Sequence, residues 1–241
     1  MSGHSKWSKI KREKGFKDRE KSNIFSKLSR IITSAVVEGG GVIDPNSNIK
    51  LRIAEEKAKK LNMPKDNIQR AIEKGIGPDK NLLKEVTYEA FGPGGIALII
   101  LASTDNLNRT LSELRNVLEL HRGKLGNKGS VMYLFRECGL LILKSSETTE
   151  EMVLSFGDRI GAFDIDKTDD YFKVFIPYEA LHNVKDHLNT MHADSIEIDF
   201  KPQIKITIEN KEVAKKITGL IEALENLDDI HQVYSNFNFT S

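Results

Sequence analysis

The segment GLLILKSSETTEEMVLSFGDRIGAFDIDKTDDYFKVFI, residues 139–176, decides the fold of this chain. Its apolar pattern begins as a strand, becomes helical over 148–160, and returns to two strands, FDID and YFKVFI. A helix over 178–192 and the strand SIEIDF follow. This β-α-β-β-α-β order is that of a ferredoxin-like domain, and we therefore predict an inserted domain over residues 139–200.

The chain on either side of the insert reads as one further α+β domain, residues 82–138 plus 201–241. VTYEAF, IALIILA and VMYLF (131–135) are predicted strands before the insert, and IKITI, a helix over 211–226 and HQVYSNF follow it. Upstream, three amphipathic patterns predict a three-helix domain over 23–81. The expected fold class is therefore α+β and multidomain, with an N-terminal three-helix domain and two ferredoxin-like domains, one inserted in the other.

Bulk composition describes an ordinary soluble protein, with 241 residues, 39% hydrophobic and 29% charged. The single cysteine, Cys138, excludes an internal disulfide and a cysteine-built zinc site, which fits a reduced compartment. No apolar run approaches the ~20 residues that span a bilayer, and the N-terminus lacks the apolar core of a secretory signal. We expect a cytoplasmic protein that makes no contact with membranes.

Charge is distributed very unevenly along this nearly neutral chain. The net charge is +1 overall, yet residues 1–30 hold ten Lys/Arg and three acidic residues, and residues 1–80 have a net charge of +9. Residues 1–22 show no apolar period and are predicted to be a basic arm. The only tryptophan, Trp7, lies among these cations, where it has no core to join and can stack on a base while its neighbours contact phosphates.

We therefore expect the arm and the helices after it to contact nucleic acid, either DNA or ribosomal RNA. On the first helix, Lys27 and Arg30 fall opposite the apolar stripe, so we expect them to be free to face a partner. The predicted contact residues are His4, Lys6, Trp7, Lys9, Lys11, Arg12, Lys14, Lys17, Arg19, Lys21, Lys27, Arg30, Lys65 and Arg70.

The inserted domain carries the opposite charge. Residues 147–199 hold thirteen Asp/Glu and four Lys/Arg, a net charge of −9, which should repel nucleic acid. Two interpretations stay open: the charge serves solubility, or it docks a basic protein surface such as that of a ribosome. For the second, the predicted contacts are Asp164, Asp166, Asp169 and Asp170.

Nothing in the sequence predicts catalysis, a metal or a cofactor. His182, His187 and His192 are five residues apart, a spacing that cannot bring them to one face of a helix. GKLGNKGS (123–130) lacks the Gly-Lys-Ser/Thr order of a phosphate loop, and GPGG (92–95) lacks a dinucleotide-binding frame. Both are interpreted as plain turns, and the protein is predicted not to be an enzyme.

Several motifs together resemble the YebC/PmpR family almost from end to end. They are GHSKW (3–7), EGGG (38–41), NMPKDNIQRAIEKG (62–75), TYEAFGPGG (87–95), TDNLNRT (104–110), GSVMYLF (129–135) and VYSNF (233–237). The resemblance implies a helical domain and two α+β domains, with GHSKW and the following basic residues contacting nucleic acid and Arg109 and Arg115 as additional contacts. The chain differs from the family pattern in its GGGVIDPNSN segment and at Ile31, which replaces a usual acidic residue.

The resemblance implies a probable transcriptional regulator that binds DNA, since the family is described in those words. Its mitochondrial members are translational activators of a cytochrome oxidase subunit, and bacterial members are tied to stalled ribosomes, which implies a ribosome-associated translation factor as the alternative. A stacking aromatic in a basic arm, without a helix-turn-helix pattern, favours RNA. A small-molecule sensor built on the ferredoxin-like domains is a third hypothesis. The sequence does not determine the oligomeric state.

Overall fold

The computed structural model describes residues 18–78, 83–189 and 191–239, with the side chains of the first range described from residue 23. The helices are α1 (Asp18–Glu38), α2 (Ile49–Lys60), α3 (Lys65–Ile76), α4 (Leu107–Leu120), α5 (Glu150–Ile160), α6 (Val184–Leu188) and α7 (Lys211–Glu225). The strands are β1 (Lys84–Phe91), β2 (Ala97–Thr104), β3 (Lys124–Leu125), β4 (Phe135–Lys144), β5 (Asp164–Lys167), β6 (Tyr171–Pro177), β7 (Ala193–Pro202), β8 (Ile206–Ile208), β9 (Ile230–Ser235) and β10 (Phe237–Phe239).

The chain divides into two compact units. One consists of the chain up to Phe135 together with the chain from Pro202 onward, and the other is Arg136–Lys201. The predicted α+β class, with an N-terminal helical region followed by sheet-containing domains, is confirmed. The domain boundaries given above stay predictions.

In the first unit, helices α1, α2 and α3 enclose a small core of their own. Leu28, Ile32 and Leu51 are among its fully buried members, and Ile31 packs against it. Gly75 lets α3 approach α1 closely, because a Cβ there would lie 2.6 Å from Cβ of Val36.

The connection from α1 to α2 is the segment that differs from the family pattern, and it is held by Asn48. The Asn48 carboxamide caps α2 by accepting from Leu51 N at 3.1 Å and donates to the carbonyls of Ala35 and Val42 at 2.8 and 3.0 Å. Gly40 and Gly41 adopt positive φ angles of 68° and 88°, which allow the chain to turn there.

The α+β part of the first unit is a four-stranded antiparallel sheet in the order β3-β1-β2-β9, with a parallel β10-β8 pair beside it. Helices α4 and α7 bury their apolar stripes against it, through residues such as Leu114, Leu118, Leu220 and Leu224. The continuous run IALIILA becomes β2, whose side chains are nearly all buried, as expected for a central strand.

The second unit is a four-stranded sheet in the order β5-β6-β4-β7 with helices α5 and α6. That order is the ferredoxin-like one predicted from the β-α-β-β-α-β pattern. Two local predictions are wrong. The stretch VMYLF is not a strand, because Met132–Leu134 forms a 3-10 turn and β4 starts only at Phe135. The predicted helix over 178–192 is a 3-10 turn (Tyr178–His182) followed by the short α6, which ends at Leu188, before Asn189 with a φ angle of 50°.

A pair of carboxyl groups joins the end of α1 to the start of β1. Glu38 and Glu85 share a hydrogen bond, with Lys50 Nζ 2.6 Å from Glu38 and His231 Nε2 3.3 Å from Glu85. Burial and the contact with Glu85 raise the pKa of Glu38. Burial alone would raise the pKa of Glu85 too, but its contacts with His231 and Glu38 outweigh burial and lower that pKa. When the pair carries one proton, these opposite shifts favour Glu38 over Glu85 as the group that holds it.

This carboxyl pair predicts that Glu38→Gln reduces the pH dependence of stability. Because the folded pKa of Glu38 is raised, its stabilising contribution is complete below the unfolded value of about 4.5 and is lost as the pH rises through the folded pKa. Glutamine donates to Glu85 at every pH. Urea unfolding at several pH values above 4.5 should therefore show a smaller decline in the free energy of unfolding for the variant.

The matched control is Glu119→Gln, which changes an exposed carboxylate on α4. It should reproduce the pH profile of the unchanged protein. Identical profiles for the unchanged protein and Glu38→Gln would show that no proton is shared at this pair.

Candidate nucleic-acid interface

Most of the predicted arm contacts precede the structured part of the chain. His4, Lys6, Trp7, Lys9, Lys11, Arg12, Lys14 and Lys17 lie outside the described residues. Arg19 and Lys21 belong to the first turns of α1, which begins at Asp18. The basic segment therefore leads directly into α1, the longest helix of the described chain. The position of α1 defines where this segment joins the rest of the protein.

Lys27 does not face outward from the protein. Its ammonium group donates to the carbonyl oxygens of Glu225, Leu227 and Ile230, the last two at 2.7 and 2.8 Å. These carbonyls belong to the last residue of α7, the turn after it and the first residue of β9. A lysine at a helix C-terminus can satisfy carbonyl groups that the helix leaves unpaired. The expectation that Lys27 is free to contact a partner is therefore wrong, because all three ammonium protons already have acceptors.

Arg30, one helical turn further along α1, is also used within the chain. Its guanidinium pairs with the carboxylate of Asp229 and lies 3.4 Å from the carbonyl oxygen of Ser103. Nearby, Ser34 Oγ and Ser103 Oγ are 3.2 Å apart. The side of α1 opposite the helical core thus packs on the α+β part of the same unit, and the prediction that Arg30 is free is wrong for the same reason.

Arg109, the first of the two arginines implied by the family resemblance, meets the same carboxylate. Its Nη2 atom donates to Oδ2 of Asp229 at 2.7 Å, to Oδ1 at 3.0 Å, and to Asp105 at 2.8 Å. These contacts raise the pKa of the Arg109 guanidinium, which stays charged. The Arg109 side chain is 42% exposed, and its Nη2 atom is held by Asp229 and Asp105.

The carboxylate of Asp229 contacts Arg30, Thr104, Arg109 and Thr110. We call these five residues the Asp229 cluster. The carboxylate is 2% exposed and accepts additional hydrogen bonds from Thr104 Oγ1 at 2.9 Å and Thr110 Oγ1 at 2.6 Å. Burial alone would raise its pKa, but the hydrogen bonds from Thr110, Arg109, Arg30 and Thr104 outweigh burial and lower the pKa to about 2. The cluster fastens α1, the end of β2 and the start of α4 to the turn before β9.

Three other predicted contacts do face solvent. Lys65 and Arg70 are exposed on α3, and Arg115 is exposed on α4. Lys57 on α2 and Lys74 on α3 are exposed as well and were missed from the sequence. Helices α2 and α3 bury their apolar stripes in the helical core, so the exposed lysines and the arginine on them are carried by a rigid support. They are available to phosphate groups, in contrast to Lys27, Arg30 and Arg109.

The predicted acidic surface of the second unit is partly neutralised within that unit. The ammonium of Lys201 lies 2.5 Å from Asp164 and 3.5 Å from Asp166, and 3.3 Å from the centroid of the Phe175 ring. Asp169 and Asp170 are exposed in the turn between β5 and β6. Because Lys201 is itself buried, its contacts with Asp164 and Asp166 stabilise the sheet, and both carboxylates keep 44% and 39% of their side-chain surface exposed to solvent.

The described residues provide little for chemistry. Cys138 is buried, and burial raises the pKa of its thiol to about 12, so it is not a nucleophile at neutral pH. No group of three or more His, Cys, Asp or Glu side chains in the described part of the chain is arranged to hold a metal ion. None of the helices described between residues 18 and 239 is long and apolar enough to cross a membrane.

The geometry of the Asp229 cluster predicts that Asp229→Asn destabilises the first unit. The amide keeps the shape of the carboxylate but removes its charge and turns an NH2 group toward donors. Allowing for the partial exposure of both arginines, we expect a loss of about 1–3 kcal/mol at neutral pH, measured by urea unfolding.

The neighbouring residue provides the matched control, since Asp228 is exposed and Asp228→Asn should leave the stability unchanged. The unchanged protein should also lose stability as the pH falls from about 4 to about 2, because the folded pKa of Asp229 lies below its unfolded value. Asp229→Asn should lack that part of the acid transition. Equal stabilities for Asp229→Asn and Asp228→Asn would contradict the assigned role.

Comparison with known proteins identifies the family from both parts of the chain. Residues 5–78 match the TACO1/YebC protein N-terminal domain, and residues 83–237 match the TACO1/YebC second and third domain. A probable transcriptional regulatory protein of Borreliella burgdorferi is 44% identical over 238 residues, covering 98% of this chain and 97% of that protein. A second, from Aquifex aeolicus, is 41% identical over 240 residues, covering 98% and 96%.

The fold is shared with a solved structure. The crystal structure of the conserved hypothetical protein Aq1575 from Aquifex aeolicus superposes with a TM-score of 0.83 at 39% identity, covering 93% of each chain. The helical domain, the α+β domains and the sequence similarity extend over nearly the whole length. This chain therefore belongs to the TACO1/YebC family, the YebC/PmpR family of the sequence motifs.

Proposed function

We propose that this protein is a cytoplasmic, non-enzymatic regulator of gene expression that acts by binding nucleic acid. The observation that carries the proposal is the separation of charge: +9 on residues 1–80 and −9 on residues 147–199. Such an asymmetry directs a polyanion to one end of the chain and away from the other. The relatives named probable transcriptional regulatory proteins support a regulatory role.

The contact surface that we propose is narrower than the full set of basic residues. Lys27, Arg30 and Arg109 are occupied within the protein and contribute to binding only by fixing α1. The phosphate contacts then fall to the basic arm, residues 1–22, and to exposed cations such as Lys65 and Arg70 on α3. The helical domain acts in this proposal as a rigid base from which the arm reaches the nucleic acid.

A ribosome-associated translation factor is the second candidate, and the charge of the second unit favours it. A ribosome presents phosphate-rich and basic protein surfaces side by side, so a chain with two oppositely charged parts can contact both. Asp169 and Asp170, exposed in the turn between β5 and β6, are the proposed docking contacts. Reversing both to Lys should spare RNA binding and reduce activity in a translation assay, whereas a regulator of promoter DNA should be unaffected by the change.

The proposed arm predicts that removal of four cations weakens binding without changing sequence preference. Replacing Lys6, Lys9, Lys11 and Arg12 by Ala should lower the affinity for every duplex tested. The slope of log affinity against log salt concentration should fall by up to ~0.9 for each phosphate that the variant no longer neutralises. Fluorescence anisotropy titrations at several salt concentrations measure both quantities.

A control with a matched change of charge exists at the C-terminal end of the first unit. Lys205, Lys211, Lys215 and Lys216 are exposed, and replacing all four by Ala removes the same charge from a different surface. If the two quadruple variants show the same salt slope, the effect belongs to net charge and the arm is not the contact.

Trp7 provides a separate prediction, because stacking requires an accessible base. Trp7→Ala should cost about 1–3 kcal/mol of binding to a single-stranded target and little on a B-form duplex, whose bases are already stacked. Trp7→Phe should keep most of the affinity. Losses of equal size on both targets would mean that Trp7 packs against the protein itself.

A further inference from the structure

The segment from Arg122 to Tyr133 is a basic loop at the edge of the sheet in the first unit. It contains Arg122, Lys124 and Lys128 and no acidic residue. All three cations are exposed, and none of them forms an ion pair within the described residues. The sequence GKLGNKGS alone indicates a plain turn. In the structure, the carboxylate of Glu89 anchors this loop, and the side chain of Tyr133 at its end is exposed.

The anchor is Glu89, a buried carboxylate on β1. It accepts backbone N–H groups from Gly129 at 2.5 Å, from Val131 at 2.6 Å and from Met132 at 2.8 Å. Burial alone would raise the pKa of Glu89, but these hydrogen bonds, together with the charge of Lys128, lower it. The carboxylate therefore stays ionised and holds the loop in one conformation, so a ligand does not have to order it on binding.

Two exposed aromatic residues accompany the anchored loop, Tyr133 at its end and Phe91 on the neighbouring strand β1. Tyr133 directly follows the anchored Met132, yet its side chain is 70% exposed. Phe91 lies on the same face of β1 as Glu89, is 37% exposed, and pairs across the strands with Lys124. A Cβ on Gly126 would lie 3.4 Å from the Phe91 ring and 2.3 Å from Ser130 Oγ, so the loop packs closely against β1 at this position.

We propose that this surface, formed by Phe91, Lys124, Lys128 and Tyr133, is a second binding site for single-stranded nucleic acid. An unpaired base stacks on Tyr133, and the neighbouring phosphates are neutralised by Lys124 and Lys128. The inference rests on the proposed function, since it assumes that nucleic acid is the ligand, but it uses residues other than those of the basic arm.

Single strands fit this surface better than duplexes for a geometric reason. Rings that project from an anchored loop can stack only on bases that are already unpaired and accessible. A duplex offers its phosphates alone, so it would use the lysines and leave Tyr133 without a role. The ring therefore distinguishes the two targets, while the lysines contribute to both.

The test compares Tyr133→Ala with Tyr133→Phe, using labelled oligouridine, oligothymidine and a duplex of mixed sequence as probes. Tyr133→Ala should weaken binding of both single strands on the order of tenfold and leave the duplex unchanged, because only base stacking is removed. Tyr133→Phe should restore single-strand affinity. Equal weakening of the two single strands assigns the site to bases in general, whereas weakening of oligouridine alone narrows it to RNA.

The lysines are tested with the double variant Lys124→Ala/Lys128→Ala. The control is the double variant Lys211→Ala/Lys215→Ala, which removes the same charge from another exposed surface. The loop pair should weaken binding of all three probes and lower the salt slope more than the control pair does. Amide hydrogen exchange at Gly129, Val131 and Met132 should match that of the unchanged protein, which establishes that the loop is still anchored by Glu89.

The outcomes separate this inference from the proposed function. If the loop variants bind all probes like the unchanged protein while the arm variant loses binding, the loop site is refuted and the proposed function stands. If the unchanged protein binds no probe, the proposed function itself fails. Polyglutamate serves as a further probe, an anion without bases. If replacing Lys124 and Lys128 weakens polyglutamate binding as strongly as oligouridine binding, and Tyr133→Ala has no effect, the surface is a general anion site and the stacking proposal is overturned.

Discussion

The carboxylate of Asp229 is the contact on which the arrangement of the first unit depends. It is buried, it remains ionised, and its partners come from α1, β2 and α4. A buried charge of this kind is tolerated only when it is paired and hydrogen-bonded on all sides. Lys27 reinforces the same junction by donating to carbonyl oxygens between the end of α7 and the start of β9. Together, the contacts of Asp229 and Lys27 hold the helical domain on the sheet. They also fix the position of α1, and with it the point at which the basic arm joins the protein.

This junction changes how the basic N-terminal third of the sequence is interpreted. A count of charges treats every lysine and arginine as equally available to a polyanion. Two of those cations, Lys27 and Arg30, instead form contacts within the protein, as Arg109 does from α4. The exposed cations include Lys57, Lys65, Arg70 and Lys74. The surface proposed for nucleic acid is therefore smaller than the sequence predicts, and it is mounted on a rigid base.

The elements that the sequence predicts well are those with a strong local pattern. The run IALIILA forms a buried strand, and the helix predicted over 211–226 is α7, Lys211–Glu225. VMYLF is not a strand, because the Glu89 carboxylate takes the N–H groups of Val131 and Met132 that a strand would need. The pattern of α1 identifies the face opposite its own core, but no helical period shows that another domain covers that face. Asp229 was missed for the same reason, since its partners are 119 to 199 residues away in sequence.

The central claim is that the cations of the arm bind nucleic acid while those at the Asp229 junction only support them. Lysine-reactivity footprinting by mass spectrometry, with and without bound nucleic acid, tests this division in one experiment. The account predicts that Lys6, Lys9 and Lys11 react when the protein is alone and are protected in the complex. It also predicts that Lys27, whose protons are held by three carbonyl groups, is unreactive in both states. Arm lysines that react equally in both states, or a Lys27 that reacts until nucleic acid protects it, would contradict the account.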